Sequence, residues 1–261
     1  MESYRIHYVE RGHGDTVILL HGLGGDWRRW KQSIEPLSRH YRVIAIDQLG
    51  FGTSDKPKID YGDRIFARSL AVFMKRHHIE RATVVGNSMG AGVAYAFAID
   101  YPERLDKLVI VGGGPTRCSE LAKVDDPFFK RQAQMKDRQS IVGGFEKMFY
   151  DPKKLSAQDR EEFYESRLKS RYASDSEIHS FITGVGCVHN EEIAKIKAST
   201  LIIWGANDDA RSMAKVTRLK SELRNVQIRW ISQAAHLPHM EQPEAFVNAV
   251  TAFLGPGRTD Y

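Results

Sequence analysis

Cysteine is scarce: the 261-residue chain has two, Cys118 and Cys187, far apart and in no metal-type spacing. A disulfide scaffold and a Cys-built zinc module are therefore excluded, and the expectation is two free thiols in a reducing, cytoplasmic setting. The ten histidines include no H-E-x-x-H pair, so no metal and no cofactor is expected. Neither G-x-G-x-x-G nor G-K-[ST] occurs, which removes the usual phosphate cradles; the Gly-rich run Asp47–Asp55 reads as a turn lining a pocket. The opening residues, Met1-Glu2-Ser3-Tyr4-Arg5, are polar, so no secretory leader is expected. Long charge-free runs are also rare. Ala82–Ile99 is long enough to raise the question of a membrane span, but Gly86-Asn87-Ser88-Met89-Gly90 divides it into strand, turn and helix.

What charge there is leans positive, at +5 with a pI near 9.1. A nucleic-acid footprint would concentrate that excess. Here it is spread along the chain, and Arg28-Arg29 and Lys75-Arg76 read as solvated helix faces. The expected partner is a small molecule, with no nucleic acid and no membrane; the sequence leaves a homodimer open.

Apolar β-branched runs at Ile6–Val9, Val17–Leu20, Val43–Ile46, Thr83–Val85 and Leu108–Val111 alternate with helical patterns near 29–39, 64–77 and 88–99. Continuous rather than alternating apolar strands imply a mostly parallel central sheet flanked by helices on both faces. The alternation stops at Gly112-Gly113-Gly114-Pro115 and resumes with Leu201–Trp204, a helix over 212–223, Val226–Ile231 and a helix over 244–254. The chain thus divides into an α/β core, 1–114 with 198–261, and a helical insertion, 115–197. Aromatics including Phe128, Phe129, Phe145, Phe149 and Phe163 suit that insertion to be a cap over an apolar pocket.

Thr83-Val84-Val85-Gly86-Asn87-Ser88-Met89-Gly90 is the most informative stretch. Gly-x-Ser-x-Gly after a strand and before a helix is the context in which a serine is held on a strained turn, its hydroxyl above the sheet edge. A serine nucleophile needs a base and an orienting acid, in the order Ser, acid, His at later strand ends. Leu201–Trp204 leads to Asp208, with adjacent Asp209 the weaker choice, and Val226–Ile231 leads to His236, with His239 as rival and, if not the base, a surface histidine. Val17–Leu20 runs into His21-Gly22-Leu23-Gly24-Gly25, whose free N–H groups suit an oxyanion hole made by Leu23 and Met89. His21 itself reads as a brace for that loop.

These residues resemble the α/β-hydrolase superfamily over essentially the whole chain. The marks are His21-Gly22-Leu23-Gly24, Asp47-Gln48-Leu49-Gly50-Phe51-Gly52, Gly86-Asn87-Ser88-Met89-Gly90, Trp204-Gly205-Ala206-Asn207-Asp208 and His236. The resemblance implies the α/β-hydrolase fold with an inserted helical cap. It is nearest to capped esterases and to meta-cleavage product hydrolases, which cut a carbon–carbon bond in ring-opened aromatic compounds. The latter resemblance implies Asn87 near the substrate and Arg167, in Glu165-Ser166-Arg167-Leu168, against a substrate carboxylate; a solvated helix residue is the alternative for Arg167. Gly22 and Leu237 complete the expected substrate contacts. The short Gly24-Gly25-Asp26-Trp27 loop, Leu237 in place of Trp and Ala235 in place of Gly depart from the carbon–carbon hydrolases. The expectation is therefore a serine hydrolase of small, mostly apolar carboxylic esters acting through an acyl-enzyme. Carbon–carbon hydrolysis of a dienoate is the first alternative, and a ligand receptor on a hydrolase fold the second.

Overall fold

A computed structural model describes residues 4–123, 132, 134–209 and 211–257. Seven strands, β1 (Tyr8–Arg11), β2 (Thr16–Leu20), β3 (Arg42–Ile46), β4 (Ala82–Asn87), β5 (Leu105–Val111), β6 (Ser199–Gly205) and β7 (Val226–Ile231), form one sheet in the order β1-β3-β2-β4-β5-β6-β7. Only β1 is antiparallel to its neighbour. Among the described residues the α-helices are α1 (Lys31–Ser38), α2 (Asp63–Arg76), α3 (Met89–Asp100), α4 (Arg138–Glu146), α5 (Ala157–Lys169), α6 (Arg171–Thr183), α7 (Asn190–Ile193), α8 (Arg211–Glu222), α9 (Pro238–Glu241) and α10 (Pro243–Leu254).

Successive residues of a strand point to opposite faces, and here both faces are dry. Ile18, Leu20, Val84, Ile110 and Ile202 pack against α2, α3 and α8, while Val17, Leu19, Val85, Val109 and Ile203 pack against α1 and α10. This is why the strand runs are continuously apolar. It also accounts for the charge-free stretch: β4 is the central strand, and α3 is buried on every side from Met89 to Ala98. No helix among the described residues is long and apolar enough to cross a membrane.

The first strand starts later than its apolar run suggests, at Tyr8 rather than Ile6. The polar groups of His7 are already committed to the 47–54 turn: its N–H donates to Ser54 Oγ at 2.8 Å, and its carbonyl accepts from Asp47 N at 2.9 Å. Asp47 is the hub of that turn, accepting from Trp27 N and Thr53 N at 2.8 Å each.

Helices α4–α7 lie between β5 and β6. Asp137 starts α4 and Ser156 starts α5, each through a capping box. Phe145, Phe149, Phe163, Ile141 and Leu155 form a small core that reaches down to Leu237; Phe128 and Phe129 lie outside the described residues. The two ends of the insertion run side by side, joined by a bridge between Arg117 and Val188. That register places Cys118 and Cys187 together with Cα atoms 5.1 Å apart, and they form a disulfide, not the two free thiols expected. The cysteines therefore give no support to a reducing compartment. Nor are Arg28 and Arg29 a solvated face. Arg28 grips the Asp26 carboxylate (Nη2–Oδ2 2.6 Å), and the Arg29 guanidinium lies over the Phe145 and Phe163 rings at 4.1 and 4.4 Å, tying the insertion to the core.

Candidate active site

Strand β4 ends at Asn87 and helix α3 starts at Met89, so the whole reversal falls on Ser88, whose φ is +54°. A side chain at positive φ is strained and survives only where the surroundings fix it. Here the neighbours leave no room for anything but glycine: a Cβ on Gly86 would lie 2.0 Å from Gly90 O, and one on Gly90 2.3 Å from Leu20 O. Ser88 N–H donates to Val111 O at 3.0 Å, locking the turn to β5. Within 82–98 Ser88 alone is not buried.

Asp208 lies just past β6 and His236 just past β7, and their side chains meet with Oδ2–Nδ1 at 3.5 Å. Burial would raise the Asp208 carboxyl, but the His236 hydrogen bond and charge and the Asp209 N–H (2.9 Å) hold it below its ordinary value. Asp209 is exposed on the same turn. Consecutive glycines bring the parts together: a Cβ on Gly112 would lie 2.8 Å from His236 O, and one on Gly113 2.6 Å from Ser88 O. Ser88 and His236 are not hydrogen-bonded to each other here; such bonds commonly tighten only with substrate present.

The His236 loop is bolted from three sides. Asn87 Nδ2 donates to His236 O (3.3 Å) and to Val111 O (3.0 Å). His236 N donates to Met148 O, in the insertion, at 3.0 Å. Glu241 is buried and accepts from Ala235 N at 2.7 Å with one oxygen and from Tyr150 N at 2.7 Å with the other. Sequence reasoning missed Glu241, and placed Asn87 beside the substrate without seeing that its amide ties two strand ends. His239 is not at the surface: it is fully buried, stacked on Trp30 at 4.2 Å. Burial, with Arg29 and His236 nearby, holds its pKa well below the ordinary histidine value.

The loop after β2 faces Ser88 from the other side. A Cβ on Gly22 would lie 3.1 Å from Ser88 Cβ. The turn is closed by Gly25 N donating to Gly22 O, and Gly24 adopts φ +69°. His21 is buried between this loop and the next: Nδ1 is 2.8 Å from Gly22 O, and Nε2 accepts from Gln48 N at 3.1 Å. Burial lowers its pKa, as befits a neutral brace. Met89 N, at the first position of α3, has no carbonyl within its own helix to bond.

Arg167 is buried, not solvated, at 4% exposure near the end of α5. Its stem lies on the same loop, with a Cβ on Gly24 only 2.6 Å from Arg167 Cδ. Nη1 has no hydrogen-bond partner, and Nη2 is 3.5 Å from Asp175, at the outer limit for a hydrogen bond. Leu237, next to His236, is buried in the Phe145 and Phe163 cluster. Among the described residues no three His, Cys, Asp or Glu side chains converge as metal ligands.

A strand-end serine, a paired aspartate and histidine, and a glycine loop facing them define a hydrolase site on a parallel sheet. The chain belongs to the alpha/beta hydrolase fold family, whose profile matches residues 15–243. It is 30% identical over 267 residues to the 2-hydroxy-6-oxononadienedioate/2-hydroxy-6-oxononatrienedioate hydrolase of Paraburkholderia xenovorans, covering 96% of this chain and 90% of that protein. The meta-cleavage product hydrolase of Pseudomonas fluorescens IP01 superposes with a TM-score of 0.84 at 25% identity, covering 97% of this chain and 95% of that one. A serine hydrolase involved in carbazole degradation gives a TM-score of 0.80 at 27% identity, with 97% and 99% covered. The protein is an enzyme of the serine-hydrolase kind.

Proposed function

We propose that this hydrolase cleaves a carbon–carbon bond in a ring-opened dienoic acid, in preference to the small apolar esters that the sequence alone favours. The observation that carries the reading is Arg167. A buried guanidinium with an unpartnered Nη1 is costly to leave unpaired, and a substrate carboxylate satisfies it where an apolar ester does not. Likeness to proteins named as meta-cleavage or dienedioate hydrolases points the same way.

In this reading His236 takes the Ser88 proton as Oγ adds to the keto carbonyl, and the oxyanion rests on the Leu23 and Met89 N–H groups. Asp208 fixes the imidazole tautomer and stabilises the imidazolium. The bond between the attacked carbon and the conjugated chain breaks. Its electron pair spreads into the enone, and the departing carbon skeleton takes its proton from His236. Water, deprotonated by His236, then releases the acyl group as a carboxylic acid and restores Ser88. Gly22 and Leu237 border the reacting groups, and Asn87 holds the His236 loop.

The test is turnover of a ring-cleavage dienoate beside p-nitrophenyl acetate and butyrate, for the parent and Arg167→Gln. The expected result is faster dienoate turnover, with Arg167→Gln raising its KM at least about tenfold, the order of one charge-assisted bond, and leaving ester KM unchanged. Ester turnover well above dienoate turnover overturns the proposal.

A further inference from the structure

Helix α5 brings Arg167 to Gly24, and the core grips that helix nearer its other end. Asp159 and Glu162 stand on neighbouring turns of one face of α5. Each has one carboxylate oxygen engaged within its own segment. Asp159 Oδ2 accepts from Ser156 Oγ at 2.6 Å and from Ser156 N at 3.0 Å, and Glu162 Oε1 accepts from Gln158 Nε2 at 2.8 Å. The remaining two oxygens meet one cation of the core. Lys31 Nζ, from the first residue of α1, lies 2.8 Å from Asp159 Oδ1 and 2.9 Å from Glu162 Oε2. An ion pair in open water is worth little, because it is screened and orders two long side chains. This triad is better placed. Its side chains are 32% exposed for Lys31, 13% for Asp159 and 18% for Glu162, and the helix has already oriented both carboxylates. Burial would lower the Lys31 pKa, but the bonds to Asp159 and Glu162 raise it above its ordinary value. Without the lysine, two like charges would face each other across one helical turn.

The rest of α5 carries this grip to the substrate side. Phe163 and Arg167, one turn apart, both rest on the same loop: a Cβ on Gly24 would lie 3.6 Å from Phe163 Cε2 and 2.6 Å from Arg167 Cδ. Glu162 precedes Arg167 by five residues, about 7.5 Å along a helix axis. The Arg167 guanidinium has a weak hold of its own, Asp175 at 3.5 Å and an unpartnered Nη1, so its aim follows the lie of the helix. We propose that Lys31 is a positioning residue: by gripping Asp159 and Glu162 it sets the lie of α5, and so aims the Arg167 guanidinium at the substrate carboxylate. This rests on the reading of Arg167 as the carboxylate-binding group. Two further contacts keep α5 attached when Lys31 is removed. Arg28 Nη2 donates to Glu162 O at 3.2 Å, and the Arg29 guanidinium covers the Phe163 ring.

The test is steady-state kinetics with the ring-cleavage dienoate and p-nitrophenyl butyrate. The proteins are the parent, Lys31→Met, Lys31→Arg, Glu162→Gln, Arg167→Gln and the double variant Lys31→Met with Arg167→Gln. Lys31→Met should raise the dienoate KM about fivefold, the order of one shielded ion pair, and leave the ester KM unchanged. Lys31→Arg, which can still bridge both carboxylates, should restore the parent value. Glu162→Gln should also raise the dienoate KM, although it removes a negative charge; a through-space pull of Lys31 on an anionic substrate predicts the reverse. On the Arg167→Gln background, Lys31→Met should add less than about twofold, because the group it aims is gone. Glu162→Gln carries the same test should Lys31→Met not fold. Four results overturn the proposal and leave the substrate reading standing: an unchanged dienoate KM in Lys31→Met, an equal rise in ester KM, a lowered dienoate KM in Glu162→Gln, or the same rise on both backgrounds. An unchanged dienoate KM in Arg167→Gln overturns the substrate reading, and this proposal with it.

Discussion

Glu241 offers the sharpest test of how the catalytic loop is held. It is 4% exposed and accepts N–H bonds from Ala235 (2.7 Å), Tyr150 (2.7 Å) and, at longer reach, Asp151 (3.3 Å). It therefore joins the residue before His236 to the insertion. Burial pushes the carboxyl up, and the three N–H groups only partly draw it back. Hydrogen bonds to a charged acceptor are worth about 1.5–3 kcal/mol each, and removing that acceptor leaves buried N–H groups unpaired. Counting the two short bonds, Glu241→Ala should destabilise the protein by about 3–5 kcal/mol. At roughly 3 °C per kcal/mol for a chain of this size, the melting temperature should fall by about 10 °C. Because a small misplacement of His236 is enough to slow proton transfer, kcat at 25 °C should fall about 10- to 100-fold in protein that is still folded. Glu241→Gln, which keeps one acceptor oxygen, should lie between. Calorimetry and steady-state kinetics on the same samples decide the matter. A Glu241→Ala protein melting within 2 °C or so of the parent, with unchanged kcat, would refute the clamp.

Ser88→Ala should lower kcat by about 10⁴-fold or more while the melting temperature stays close to the parent's, and a variant that keeps near-full activity would remove Ser88 from the mechanism. Reduction of Cys118–Cys187 opens a loop whose ends are 69 positions apart, worth about 4 kcal/mol on the chain-entropy account. Thermal melts with and without dithiothreitol should differ by about 10 °C, and a Cys118→Ser protein should melt low under both conditions. Equal melts for the parent in the two buffers would count against the disulfide.

The sheet was legible because its evidence is local. An apolar β-branched run followed by Gly and a polar turn is a strand end whatever lies elsewhere, and parallel strands put those ends on one edge of the sheet. Ser88, Asp208 and His236 all sit at such ends, so chain order alone places them as neighbours. Residues whose environment comes from a distant segment were harder to read. Arg28, Arg29 and Arg167 have helix-surface signatures, and periodicity says nothing of a second layer folding over them. His239, the rival base, is covered by Trp30 from a distant part of the chain and by Phe246 from the following helix, and the first of these contacts leaves no local signal. The disulfide depends on Arg117 pairing with Val188, a contact of only two residues that no local pattern announces.

Arg167 and Gly24 touch across a division of labour. The groups that break and make bonds hang from the sheet, whereas the guanidinium that would choose the substrate arrives from α5 and rests on the Gly24 surface. In the proposed reading, recognition and chemistry lie in separate stretches of the chain, which touch at Gly24 as well as at the Met148 and Tyr150 contacts of the His236 loop. A graft replacing 115–197 with the corresponding stretch of another hydrolase would change what is admitted while leaving the bond-breaking apparatus in place, provided the incoming piece still lays a flat side chain on Gly24 and still meets His236 N and Glu241 as Met148 and Tyr150 do. For the same reason new specificities on this scaffold can arise by drift in the insertion, with no change to the residues of the sheet.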